Sequence, residues 1–319
     1  MTAVKIINSN KCFKRNPMSI SQLLTPQQKT AVFADHQHAH SLAQAMPRLA
    51  AEARRISASA AAGLHGRKSA GQGNSFWQFR EFGAGEAATR VDWRRSSRDH
   101  NLYVREREWE AAQTLWLWID RSPSMAFMSK LSQHSKLERA VVLGLALADM
   151  LVRGGERVGH FQLTQPQISR SIIERLGEAL MLAEQSGNAP KLPLLQPIGG
   201  REEIIVISDF IADLSVLRTH IESLSGRGGR GHLLLIRDPI EEIFPFAGET
   251  EFQDPHSGEK MRVGDAAGFG EAYRNRIAAH TIELTHITQK LGWSLTLHRT
   301  DKPATQPLYK LMMQLQGSV

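Results

Sequence analysis

Two short apolar runs, each ending in a carboxylate, constrain this chain more than any other feature. Leu115-Trp-Leu-Trp-Ile119 leads into Asp120-Arg-Ser-Pro-Ser-Met125, and Glu203-Ile-Ile-Val-Ile-Ser-Asp209 repeats the pattern later. The first run has no polar alternation, which suits a strand buried on both faces of a parallel sheet; periodicity alone leaves a buried helix open for so short a segment. At the end of such a strand Asp120, Ser122 and Ser124, spaced two apart, can converge as the chain turns. A carboxylate and two hydroxyls are hard oxygen ligands, suited to Mg²⁺ or Mn²⁺ rather than Zn²⁺.

The flanking sequence gives these runs an architecture. Residues 136–153 read as a helix with Leu137, Val141, Leu145 and Met150 among its apolar residues, ended by Gly154-Gly155. Residues 158–163 read as a strand and 214–224 as a helix, with Leu217, Ile221 and Leu224 at helical spacing. Two further strands follow at 233–236 and 293–297. Strand–helix alternation predicts an α/β fold, an open and mainly parallel Rossmann-like sheet flanked by helices. Ligands in such sheets bind beyond the carboxyl ends of the strands, so the loops holding Asp120 and Asp209 are expected to meet.

Composition bounds what remains. With 319 residues, 41% of them hydrophobic, the chain can bury one main domain plus extensions. It holds no run of about 18 apolar residues and no signal-peptide centre near Met1, so no membrane span is expected. A single cysteine, Cys12, excludes an intramolecular disulfide framework and a Cys-rich zinc site, and the cytoplasm is the expected compartment. The net charge of +7 permits an acidic partner without identifying one.

Five segments are expected: an irregular, flexible stretch at 1–39, an extension at 40–112, the α/β domain at 113–300, a small β insertion within it at 244–263, and a C-terminal helix at 301–319. The extension starts with an Ala-rich helix, bent or restarted near Pro47. His36, His38 and His40 alternate, which fits no helix face, and read as a solvated helix entrance. His65-Gly-Arg-Lys-Ser-Ala-Gly-Gln-Gly73 lacks the order of a phosphate-binding loop and reads as a flexible basic loop. Basic and aromatic residues interleave over 76–109, but so many carboxylates accompany them that salt-bridged packing against the α/β domain is preferred to nucleic-acid binding, with Asp92 holding an arginine. Gly226-Arg-Gly-Gly-Arg-Gly231 reads as a turn rather than a nucleic-acid contact. Glu249, Glu251, Asp254 and Glu259 give the β insertion an acidic face.

The D-x-S-x-S-M pattern at Asp120–Met125 resembles the metal-ion-dependent adhesion site of von Willebrand factor type A domains. A wider succession carries a second resemblance: Gly63-Leu-His-Gly-Arg67, Phe76-Trp-Gln-Phe-Arg80, Val91-Asp-Trp-Arg-Arg95, Val104-Arg-Glu106, the Asp120 motif, Gly155-Glu-Arg-Val-Gly159, His298-Arg-Thr-Asp301 and Leu308-Tyr-Lys-Leu311. In that order they resemble domain-of-unknown-function family 58, its short, soluble bacterial members in particular. The resemblance implies a von Willebrand factor type A-like domain that works beside a MoxR-type AAA+ ATPase in assembling, activating or inserting metal into client proteins. The expected role is a non-enzymatic, protein-binding adaptor, with Mg²⁺ or Mn²⁺ at Asp120, Ser122, Ser124 and Asp209. A magnesium-dependent hydrolase, with Asp120 as nucleophile, and a nucleic-acid-binding protein are the alternatives. One departure stands out. An adhesion site also uses a threonine, and none lies between Gln165 and Glu203; Thr164 is poorly placed, and Ser169 or Ser171 are the substitutes at hand.

Overall fold

The computed structural model describes residues 5–7, 34–65, 76–83, 87–98, 101–107, 112–186, 190, 192–193, 202–211, 213–226, 229–253 and 259–316. The chain opens with β1 (Lys5–Ile7), α1 (Ala34–His65), β2 (Phe76–Glu81), α2 (Trp93–Ser96) and β3 (Tyr103–Arg107). Then come β4 (Thr114–Ile119), α3 (Lys136–Arg153), β5 (Arg157–His160), β6 (Thr164–Gln167), α4 (Ile172–Gln185), β7 (Glu202–Ser208) and α5 (Leu214–Ser225). It closes with β8 (Arg230–Arg237), α6 (Pro239–Ile243), β9 (Thr250–Gln253), β10 (Lys260–Val263), α7 (Gly270–Lys290), β11 (Ser294–Arg299) and α8 (Thr305–Gln316). Among these residues no helix is long and apolar enough to cross a membrane.

Six strands form one sheet in the order β11-β8-β7-β4-β5-β6, parallel throughout except for β6. The α/β architecture read from the sequence is therefore the fold. β4 and β7 lie inside it, and their apolar runs are buried because helices cover both faces. On one face Trp116, Trp118, Ile204, Val206, Leu233 and Leu235 pack with Leu217, Ile221 and Leu224 of α5 and with Leu284 and Ile287 of α7. On the other lies α3, started by a capping box between Ser135 and Glu138 and buried on nearly every side. Gly144 brings it close: a Cβ there would sit 2.7 Å from Cδ1 of Ile119 and 3.5 Å from Cδ1 of Ile207. β6 is an antiparallel addition that the sequence did not reveal; Gln-Pro-Gln carries no apolar period.

Polar side chains inside the sheet are paired in line. His232 meets Ser294 (Nδ1 to Oγ, 2.7 Å) and Glu203 (Nε2 to Oε2, 3.1 Å), and the Ser294 hydroxyl donates to Gln314 of α8 at 3.1 Å. Three neighbouring strands thereby satisfy groups that burial would otherwise penalise.

The N-terminal helix is longer than expected and belongs elsewhere. α1 runs through Pro47 without a break and buries Leu42, Met46, Leu49, Ala53, Ile56 and Ala60, a stripe at helical spacing. Met46 packs on Gly177 of α4, and Arg48 and Arg54 pair with Glu138 and Glu174. The compact unit is accordingly 1–63 with 113–319, and residues 64–112 form a second unit. The stretch expected to be irregular holds β1 and the first turn of α1; a three-residue strand has no period to read, and β1 exists through pairing with β9. The side chains of His36, His38 and His40 and the glycine-rich loop at 66–73 lie outside the described residues.

The second unit pairs β2 with β3 antiparallel. Among the described residues Asp92 holds no arginine side chain. Its carboxylate caps α2 by accepting from the Arg95 backbone N–H at 3.1 Å, while the Arg95 guanidinium lies 4.4 Å from the Tyr103 ring centroid. The insertion at 244–263 is the expected hairpin, β9 with β10, over a core of Phe244, Phe246, Phe252 and Val263. Its acidic face is neutralised in part: Glu251 pairs with Lys260 at 3.1 Å and Arg262 at 2.9 Å.

Gly231 shows how tightly the α5/α7 face is filled. A Cβ there would lie 2.2 Å from the ring of buried Trp293, which has no room to move. Gly231→Ala is expected to lose about 1–3 kcal/mol, the usual range for overpacking, as read by chemical denaturation.

Candidate functional site

Numbered along the chain, the six strands of the main sheet lie in the order 3-2-1-4-5-6, and the winding reverses between β4 and β7. A crevice opens at such a switch point beyond the carboxyl ends of the strands. Ile119 is in register with Ile207, and the Asp120 N–H donates to the Ile207 carbonyl at 2.9 Å. Asp120 and Asp209 therefore leave the sheet side by side. The loops after β4 and β7, distant in sequence, are thus adjacent in the fold.

Asp120, Ser122 and Ser124 are joined by hydrogen bonds, and Asp209 lies beside them. Asp120 Oδ1 accepts from the Ser122 backbone N–H at 2.8 Å, and Asp120 Oδ2 accepts from the Ser208 hydroxyl at 2.6 Å. The hydroxyls of Ser122 and Ser124 lie 3.2 Å apart, and Ser124 is near enough to Asp209 to help hold its carboxyl low. Asp120, Ser122, Ser124 and Asp209 are all buried. Ser122 precedes the 3₁₀ turn Pro123–Ala126, yet its side chain makes no capping bond, so its hydroxyl is not consumed by the local helix start.

Ser208 is a supporting residue that the sequence reading passed over. Besides donating to Asp120, its oxygen accepts from the Phe210 N–H at 2.9 Å. Phe210 has φ of 50°, a left-handed conformation rare for a bulky residue, and its ring is locked in the core. This fixes the turn that carries Asp209.

The largest surprise is Lys136, the first residue of α3. Its side chain is 1% exposed, and its ammonium donates to Asp209 Oδ2 at 2.8 Å and to Glu241 Oε1 at 2.6 Å. The ring of Phe127 lies 5.7 Å from the nitrogen. Glu241 is placed by a second capping box: its Oε2 accepts from the Asp238 N–H at 2.8 Å, while Asp238 accepts from Ile240 N–H. The signal was available in outline, since Asp238-Pro-Ile-Glu241 follows a strand pattern and Lys136 is the charge at the head of an apolar helix.

The charges diverge accordingly. Burial, then the neighbouring charge of Asp209, raises the Asp120 carboxyl from 3.8 to about 6, against the hydrogen bonds from Ser208 and Ser122. Burial would raise Asp209 too, but the Lys136 ammonium overrides it and holds Asp209 below the ordinary carboxylate range. Burial raises Glu241, only partly offset by Lys136. Lys136 stays firmly protonated because the two carboxylates outweigh its own burial.

The threonine question resolves by topology. The Thr164 hydroxyl accepts from the His160 N–H at 3.0 Å and so is used in the β5–β6 turn. β6 then runs back toward the amino ends of the parallel strands, and Ser169 and Ser171, 3.0 Å apart ahead of α4, lie beyond it. Neither joins the cluster. The His160 ring beside β4 is neutral: burial lowers it to about 4, with Nδ1–H donating to the Phe161 carbonyl and Nε2 accepting from the Ile119 N–H.

The donor set fits a hard divalent cation: Asp120 is met by neutral donors and retains lone pairs, and two hydroxyls adjoin it. Asp209 is already shared with an internal ammonium.

Fold and site thus define a doubly wound α/β protein with a carboxylate–hydroxyl cluster at its switch point. The chain belongs to the family described as Protein of unknown function DUF58, which matches residues 78–283. Relatives include Uncharacterized protein Rv1480 of Mycobacterium tuberculosis and Uncharacterized protein Mb1516 of Mycobacterium bovis. Each is 23% identical over 249 residues, 73% of this chain and 76% of the relative. Among solved structures, the conserved hypothetical protein BatB from Bacteroides thetaiotaomicron is similar with a TM-score of 0.35 and 17% identity, covering 63% of this chain and 100% of that one. An aerotolerance-related membrane protein from Bacteroides fragilis gives a TM-score of 0.39 and 16% identity, covering 65% and 100%.

The raised Asp120 carboxyl makes a signed prediction. A group whose pKa is higher folded than unfolded adds stability below its ordinary value of 3.8, and that contribution is lost as pH rises through about 6. Asp120→Asn cannot ionise. With chelator present, the variant is expected to gain on wild type from about pH 4 to about pH 7, by up to about 1.4 kcal/mol per pH unit, in denaturant titrations.

Proposed function

We propose that this protein is a non-enzymatic, cytoplasmic adaptor that docks other proteins through the switch-point cluster. In this reading Asp120 anchors Mg²⁺ or Mn²⁺, Ser122 and Ser124 supply neutral oxygens, and Asp209 ligates directly or through water. The single observation behind it is the buried cluster in which Asp120, Ser122 and Ser124 are joined by hydrogen bonds and Asp209 lies beside them. Such a set leaves ligand positions open, and a carboxylate from a partner would complete them.

Membership of the family supports the partner class, a MoxR-type AAA+ ATPase acting with the adaptor on a client protein. The von Willebrand factor type A-like reading of the domain belongs to the same proposal. It rests on the Asp120–Met125 motif and on that motif's place at the carboxyl end of β4.

Titration calorimetry tests the ion. Asp120→Ala is expected to weaken Mn²⁺ and Mg²⁺ binding by at least about tenfold, the loss that even an outer partner of a metal ligand produces; unchanged affinity sinks the ion site. Pulldowns with wild type and Asp120→Ala, each with Mg²⁺ and with chelator, test docking. A MoxR-type ATPase retained only by wild type with Mg²⁺ is the expected outcome. The same partners in all four samples would make the motif structural.

A further inference from the structure

Lys136 is an unusual residue to find fully inside a protein. Lysine is almost never completely buried unless paired, because removing an ammonium from water is expensive. Here the ammonium is held from two sides by carboxylates that belong to different elements, Asp209 after β7 and Glu241 in α6. Its own element fixes it from a third direction. The Ser135–Glu138 capping box starts α3 at this point, and the Lys136 N–H donates to the Phe127 carbonyl at 3.1 Å. The position is therefore built, and the side chain is not a surface lysine folded inward.

The ammonium sits on Asp209, whose carboxylate lies close to Ser124 and to Asp120. It consequently adjoins the oxygens to which an ion is assigned above. Any divalent ion held by Asp120, Ser122 and Ser124 reaches Asp209 only in the presence of a positive charge 2.8 Å from Oδ2. Two cations then compete for one carboxylate and repel one another.

We propose that Lys136 is a resident cation of the switch-point site: it neutralises Asp209 when no metal is bound and competes with a divalent ion for that carboxylate, so it sets the site's metal affinity. This rests on the reading of Asp120, Ser122, Ser124 and Asp209 as an ion site. Glu241 is the second half of the device. It gives the ammonium an alternative anchor, so Lys136 can release Asp209 to a metal without losing every partner. The site is thereby a weak, reversible ion binder, suited to filling only when a partner adds its own carboxylate.

The test uses the full chain, Mn²⁺ as probe, and three variants. Lys136→Met removes the charge and keeps an unbranched apolar stem. It is expected to melt below wild type with chelator present, to recover on adding Mn²⁺, and to bind Mn²⁺ about tenfold or more tightly than wild type, the scale on which a neighbouring charge shifts a carboxylate's occupancy. Glu241→Gln leaves the ammonium with Asp209 alone and is expected to weaken Mn²⁺ binding; it leaves the Lys136–Asp209 pair intact. Asp120→Ala separates the two claims. Binding that is lost in Asp120→Ala but unchanged in Lys136→Met overturns the resident-cation role and spares the ion site. Binding by Lys136→Met without measurable binding by wild type supports the resident cation. Absence of binding in both overturns the two together. If Lys136→Met folds in neither condition, unchanged or tighter binding by Glu241→Gln overturns the proposal.

Discussion

Two carboxylates leaving adjacent buried strands at the same level of a sheet repel one another, and burial sharpens the repulsion. Asp120 and Asp209 are in this position because Ile119 and Ile207 are paired in register and both strands are internal. The protein treats the two acids differently. Asp209 receives the Lys136 ammonium, whereas Asp120 receives the neutral donors Ser122 N–H and Ser208 O–H. The same geometry that creates the conflict thus splits the pair into one acid held ionised and one pushed up toward about 6.

That asymmetry depends on helix starts. Glu138 and Glu241 are both the third residue of a capping box, and each box positions a member of the cluster. The first sets Lys136 at the head of α3; the second turns Glu241 so that one oxygen caps α6 and the other faces the ammonium. Phe210 adds a third fixed point, since its left-handed backbone is held by Ser208 and by its ring in the core. A site built from such short-range devices is rigid before any ligand arrives.

The fold was legible because its central strands advertise themselves. Runs without alternation, such as 115–119 and 203–207, belong where both faces are covered, and the apolar length of α3 requires the same. Asp120 and Asp209 followed from the strand-end rule for parallel sheets, which needs only the strand boundaries. What escaped was whatever depends on the third dimension. Lys136 reads in sequence as an ordinary charge at a helix start, and only the meeting of α3, β7 and α6 shows that it is buried. β1 and β6 are strands by virtue of their neighbours, with three and four residues and no apolar period. Asp92 was misread because a cap and an ion pair draw on the same carboxylate, and the sequence beside it offers arginines for either.

The two ends of the sheet differ in how their buried charges are met. At the amino ends, Glu203, His232, Ser294 and Gln314 form a line in which donors and acceptors meet their complements. At the carboxyl ends, Asp209 and Glu241 share one ammonium, and Asp120 close by has only neutral donors. The first arrangement is closed: any added group would have to break a bond already made. The second is open in charge, because its members have more negative capacity than Lys136 satisfies. Burial forces that excess to be met by a proton, as the raised Asp120 and Glu241 carboxyls record, or by a further cation. The ion proposed for the site would take the proton's place, and the hydroxyls of Ser122 and Ser124 are the neutral oxygens that allow it to do so without adding more charge.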